Sequence, residues 1–339
     1  MMNRYVSRLL FVISVLSLII LSACDSGSGG GSQDGDVSVY TGSDGVSIEL
    51  KDTRPVEVES IFEEEFSVNF ENKGPSDADI RVKISGYDPN QFEITPKGDA
   101  GADSIFLEKR PLEHASQGTE GTLDVNLKLK QGFDQTRFTG PQSYNLKIHA
   151  CYEYNTHYQK KFCISGDGRE KYDGTQVCNP SAEEYRSDEG QGSPVVIQGV
   201  DYSTNALGGD KVRHEFSILV KKGRGTGEGI GELGVYDVGY SPCDDHTRDE
   251  EKQSEDKVEV SSVKLGDREL DCKFRDGESK EGVIDVEESS QAYDDQIRAL
   301  KCRIELDKQK TFEGTLFVDL KYDVEDFVMQ KMTFIPEEE

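Results

Sequence analysis

Leu146-Lys147-Ile148-His149-Ala150-Cys151-Tyr152-Glu153-Tyr154-Asn155-Thr156-His157-Tyr158-Gln159-Lys160-Lys161-Phe162-Cys163-Ile164 is the stretch on which the fold turns. Leu146, Ile148, Ala150, Tyr152 and Tyr154 alternate with polar residues, and Tyr158, Phe162 and Ile164 share their parity. Period two with one apolar face marks a half-buried antiparallel strand. We read a strand that turns near His157 and returns through Phe162. The same alternation recurs in Val46–Leu50, Phe66–Phe70, Ile80–Ile84 and Leu123–Leu129, each bounded by Gly, Pro, Asn or Asp. Apolar spacing of 3.6 is not evident outside the N-terminal leader, so helix should be scarce. Many short strands separated by turn residues predict an all-β protein built as a sandwich.

Outward from these strands, residues 166–193 are polar and glycine-rich, and read as a linker. Strands resume at Val195 and run to Phe334. The expected organisation is a β-sandwich over 37–165 and a second over 194–336. An internal echo points to two copies of one fold. Glu65-Phe66-Ser67-Val68 recurs as Glu215-Phe216-Ser217-Ile218, and Leu146–Tyr154 matches Leu316–Val324 at a shift of 170. A competing match sets Glu120-Gly121-Thr122-Leu123 against Glu313-Gly314-Thr315-Leu316.

The N-terminus places Arg4 and Arg8 before an uncharged run from Leu9 to Leu21. That run is shorter than the ~20 residues a membrane-spanning helix needs, and reads as a secretory leader over 1–23. Its end, Leu21-Ser22-Ala23-Cys24, resembles the lipobox of prokaryotic lipoproteins. The resemblance implies that Cys24 is lipidated and becomes the first mature residue, tied to the membrane through diacylglycerol. Residues 24–36, rich in Gly and Ser, then form a flexible tether. The strand ending at Asn72-Lys73-Gly74 resembles the immunoglobulin-like, cell-adhesion-related (CARDB-like) domains of exported prokaryotic proteins. The pattern Cys151-Tyr152-Glu153-Tyr154-Asn155-Thr156 with Cys163 is similar to one in exported proteins of small-genome archaea. These resemblances imply two tandem immunoglobulin-like antiparallel β-sandwich domains, and no activity.

Sixty-six acidic against thirty-nine basic side chains give a formal charge of −27. Such a chain repels nucleic acid and anionic headgroups, which excludes both as expected partners. In an exported chain, Cys151, Cys163, Cys178, Cys243, Cys272 and Cys302 read as three disulfides. A turn at His157 would set Cys151 opposite Cys163, and Cys272 and Cys302 both point toward a core with their apolar neighbours. Cys178–Cys243 then follows by elimination. The rival pairing is Cys163–Cys178 with Cys151–Cys243.

No catalytic set is legible, so an enzyme is not expected. Gly229-Ile230-Gly231-Glu232-Leu233-Gly234 matches G-x-G-x-x-G, but Val235–Tyr240 alternates like a strand where a dinucleotide site needs a helix. His114, His149, His157, His214 and His246 lack ligand spacing and read as surface residues. Acidic stretches occur at Asp244–Glu251 and around Asp285, Glu287, Glu288, Asp294 and Asp295. They read as solvated loops, with calcium as the alternative. No cofactor is expected. The chain is read as a lipid-anchored, extracytoplasmic surface protein with a structural, adhesive or protein-interaction role. Capture of a glycan or solute, with Tyr152, Tyr154, Tyr236 and Tyr240 lining the site, is the alternative.

Overall fold

The computed structural model describes residues 45–59, 63–98, 103–110, 118–134, 138, 140–168, 174–180, 185–186, 191–222, 233–244, 248–273, 283–285 and 299–336. Residues 1–36, where a leader, a lipidated Cys24 and a tether are expected, lie outside them. In chain order the strands are β1 (Val46–Leu50), β2 (Val56–Glu59), β3 (Glu64–Asn72), β4 (Ala78–Ser85), β5 (Phe92–Lys97) and β6 (Ser104–Leu107). Next come β7 (Thr119–Leu129), β8 (Gln142–Ile164), β9 (Tyr185–Arg186), β10 (Val195–Ala206), β11 (Lys211–Lys222) and β12 (Gly234–Tyr236). The series closes with β13 (Lys257–Leu265), β14 (Arg268–Glu269), β15 (Asp271–Lys273), β16 (Val283–Asp285), β17 (Ala299–Asp307) and β18 (Phe312–Ile335). One short helix, Arg248–Ser254, precedes β13.

The chain is all-β, with antiparallel sheets packed as sandwiches. β1-β3-β7-β5 form a four-stranded sheet and β15-β17-β11-β10-β9 a five-stranded one. The third sheet runs β14-β13-β18-β8-β4-β6, with β2, β12 and β16 on its flanks. Only β2 with β18 pairs in parallel among the described strands. β8 and β18 pair along their whole length, from Gln142 opposite Phe334 to Ile164 opposite Phe312. At ~3.3 Å per residue each spans roughly 75 Å, far more than the usual strand. The two small sheets cover its two ends. Phe92 of β5 meets Tyr144 and Phe334 edge-on at 5.2 and 5.8 Å. At the other end Phe162 of β8 meets Phe216 of β11 at 5.7 Å.

Two expectations are corrected by this long pair. There is no turn at His157: β8 is one strand, as is β18, so Phe162 and Phe334 continue the strands of Tyr154 and Val324. Cys151 and Cys163 therefore lie ~40 Å apart along one strand, beyond any disulfide. The bonds are Cys151–Cys243, Cys163–Cys178 and Cys272–Cys302. The pairing by elimination, Cys178–Cys243, falls with the hairpin. The register also decides between the two internal matches. Glu153 pairs with Asp323, its counterpart at the shift of 170, so a local twofold passes through that pair. Glu120–Leu123 lies in β7 of the four-stranded sheet, whereas Glu313–Leu316 lies in β18 of the shared one.

Where the halves meet, polar side chains are buried and bonded to one another. Thr156 donates to the Val195 carbonyl at 2.6 Å, so its oxygen accepts from the Tyr322 hydroxyl at 2.8 Å. The Tyr322 oxygen in turn accepts the Val195 N–H at 3.2 Å. Tyr154 donates to Asn72 at 3.1 Å, and Ser76 to the Asn155 carbonyl at 3.0 Å. A Cβ on Gly74 would sit 1.9 Å from the Tyr154 hydroxyl and 2.2 Å from the Gly192 carbonyl, so this contact needs glycine. Residues 191–193 pack here too. Gln191 bonds both backbone groups of Ile197, and Ser193 is fully buried.

Candidate functional site

Even-numbered residues of β8 point into the sandwiches, which leaves Lys147, His149, Cys151 and Glu153 on the outer face of the shared sheet. The chain after β12 crosses that face as a strap. Tyr240 N–H closes a turn on the Asp237 carbonyl at 3.0 Å, and Gly239 N–H donates to Asp323 at 2.7 Å. Cys243 is bonded to Cys151 of β8, and Asp244 accepts from Arg81 of β4 at 2.8 Å. Tyr236 and Tyr240 stack at 5.1 Å.

Beneath the strap's beginning lies a hydrogen-bonded chain drawn from four strands. His149 Nδ1 meets Glu325 Oε1 of β18, and His149 Nε2 meets Ser85 Oγ of β4 at 3.0 Å. The second oxygen of Glu325 accepts from the Tyr236 hydroxyl at 3.0 Å. An ionised carboxylate only accepts, so Nδ1 carries the proton and Nε2 of a neutral ring accepts from Ser85. His149 and Glu325 side chains are each 17% exposed. Burial alone would raise Glu325, but His149, Lys147 and the Tyr236 hydroxyl together hold its carboxyl below the usual range. Burial first, then Glu325, pushes the Tyr236 hydroxyl up. Burial raises Asp323 to about 6 against the Gly239 hydrogen bond. Beside this chain Lys147 Nζ lies 3.7 Å over the Phe327 ring, and Met329 is exposed.

The residues singled out in the sequence are mostly elsewhere. Tyr152 and Tyr154 are core residues at 3% and 0% exposure, and Tyr236 is buried against Glu325, so these three line no open site; Tyr240 is half-buried and stacked on Tyr236. His214 is buried rather than superficial: it bonds the Tyr202 hydroxyl at 3.0 Å, and burial lowers it to about 4. His149 is likewise no free surface group; His157 is exposed beside Asp319. Gly234 opens β12, a strand rather than a helix, and Gly229–Glu232 lie outside the described residues. Asp244 is engaged by Arg81, and Glu287, Glu288, Asp294 and Asp295 lie outside the described residues. Among the described residues no three His, Cys, Asp or Glu side chains are grouped to hold a metal.

The sequence did not reveal the Ser85, His149, Glu325 and Tyr236 set, because its bonded pairs stand 64 to 176 positions apart. Only the outward parity of His149 beside Cys151 hinted at a covered outer face. Compared with known proteins, the chain matches no family model, and no curated protein resembles it in sequence. Three disulfides mark a chain that matures outside the reducing cytoplasm.

Proposed function

We propose that this is a lipid-anchored cell-surface protein acting as a stiff interaction module. Cys24 carries the lipid, residues 24–36 give reach, and two immunoglobulin-like halves hold loops away from the membrane for a surface protein or glycan. The observation that carries this reading is the full-length β8–β18 pair: a shared strand pair leaves no hinge between the halves. Stiffness keeps the loops pre-ordered, which lowers the entropy lost on binding.

Its test has two parts. Cells expressing the chain are fed an alkyne fatty acid, and the label should appear on the full chain but not on C24S, which should leave the membrane fraction. Crosslinking on intact cells should then capture another surface protein or a glycan. Release of unlabelled wild-type chain into the medium would overturn the anchor.

A second reading, capture of a small polar ligand, is favoured by one observation. The outer face of the five-stranded sheet holds an open trough of about 430 Å³, lined by Asp201, Ser203, Glu215, Lys273, Lys301 and Arg303. Its size suits a sugar or small solute, and its charges, not tyrosines, would do the recognising. Copurification of a transporter subunit in place of a surface partner would favour this reading.

A further inference from the structure

The polar chain on the outer face has a bonding order with a chemical meaning of its own. Glu325 holds Nδ1–H of His149, and His149 Nε2 faces a serine hydroxyl at 3.0 Å. A carboxylate that fixes the tautomer and a free Nε2 lone pair on a hydroxyl are what an activated serine requires. Tyr236 holds the far oxygen of Glu325, so the carboxylate cannot swing away. Ser85 is half-buried, ends its strand and is followed by exposed Gly86, so a reagent can reach it. Lys147 stands directly opposite Ser85 in the sheet register; its ammonium rests 3.7 Å over the Phe327 ring, and a swing of its flexible stem toward negative charge formed at Ser85 would bare that ring. Two register steps away, Lys83 sits opposite His149 at the edge of a depression of about 270 Å³. On the other side Phe327 and exposed Met329 offer an apolar surface.

We propose that Ser85, His149 and Glu325 form a serine acyl-transfer site that takes a carboxylic ester, with its acyl chain on Phe327 and Met329. Ser85 Oγ attacks the ester carbonyl carbon while its proton passes to His149 Nε2, and the carbonyl electron pair moves to oxygen beside Lys147. The tetrahedral species collapses and breaks the bond to the leaving alcohol, which takes the proton from Nε2. Water then attacks the acyl-serine by the same route, and releases the carboxylic acid and free Ser85. Tyr236 is a positioning residue that acts through Glu325.

The test uses the full chain with a biotinylated fluorophosphonate, and p-nitrophenyl butyrate as the ester. Phosphonylation should fall on the Ser85 peptide, vanish in S85A and slow at least about a hundredfold in H149Q. Its rate should rise with pH through one ionisation that H149Q abolishes. Tyr236→Phe should slow it less than tenfold and leave that pH profile in place. Each variant is checked for Cys151–Cys243 and Cys163–Cys178 by peptide mapping without reductant. If H149Q loses these bonds, the near-isosteric E325Q replaces it, with the same hundredfold slowing expected. Absence of an adduct at Ser85, or an adduct formed equally fast in the disulfide-intact variant, would overturn the proposal.

Discussion

The two halves share one strand pair yet are held shut by different means. In the N-terminal half β3 ends at Asn72, whose amide is fully bonded to Ser76, Glu108, Gly74 and Tyr154. The corresponding end of β11 in the C-terminal half is Lys222, whose ammonium meets Asp256 at 3.0 Å. Their equivalence follows from register: Val46 opens the pairing with Asn72, as Val195 does with Lys222. Further in, Phe66 faces Val125, but Phe216 faces Cys302, which is bonded to Cys272 on the three-residue edge strand β15. The N-terminal half closes with a six-residue β5 and no disulfide within it. Cys163–Cys178 and Cys272–Cys302 both lie in the C-terminal half. Short edge strands pair weakly, and covalent closure substitutes for the missing ladder.

The largest effect should come from the junction both halves depend on. Tyr154→Ala removes a fully buried ring and leaves Asn72 short of a donor, at a cost of about 5 kcal/mol. Urea unfolding followed by fluorescence and by circular dichroism should shift together. A loss confined to one probe would mean the halves unfold separately.

Next come the disulfides, where the comparison predicts an asymmetry. Cys151–Cys243 closes 92 residues and Cys163–Cys178 closes 15. Replacing each pair by serine should cost about 4.6 and about 3 kcal/mol by loop entropy. The first should also raise amide exchange in Asp237–Asp244, while the second should leave that strap untouched. Smaller still is Asn72→Ala, which strands neighbouring polar groups in the N-terminal half for about 2 kcal/mol.

Acid should separate two buried groups of opposite sign. His214, lowered to about 4, stays neutral when folded, so its contribution is full above about 6.5 and falls away toward pH 4. Asp323, raised to about 6, does the reverse: its cost is present above pH 6 and disappears as the carboxyl protonates on the way to about 4. These two contributions should therefore largely offset each other between pH 6 and 4. His214→Phe should become relatively more stable at pH 4.5 than at 7, and Asp323→Asn less so, each by on the order of 1–2 kcal/mol in denaturant midpoints.

Much of this architecture was legible from alternation alone. Three of the four strands of the four-stranded sheet, β1, β3 and β7, stand where period two placed them; β5 is not among the expected strands. The misread hairpin is instructive, because parity never breaks between Leu146 and Ile164, and no Gly or Pro interrupts the run before Gly166. A turn needs residues tolerant of its dihedrals, and Asn155-Thr156-His157 alone supply too little. Strands of this length are rare, so length alone argues for a turn, and the expected Cys151–Cys163 pairing rests on that turn. The Ser85–His149–Glu325 chain was not legible, since cross-strand register is not written in any local motif.

The shared strand pair is tested most directly by hydrogen exchange with mass spectrometry at stepped urea concentrations. Peptides from Gln142–Ile164 and Phe312–Ile335 should lose protection at one common concentration along their entire lengths. Protection lost first at Gln142–Cys151 with Val324–Ile335, and only later at Thr156–Ile164 with Phe312–Leu320, would contradict a single fused body.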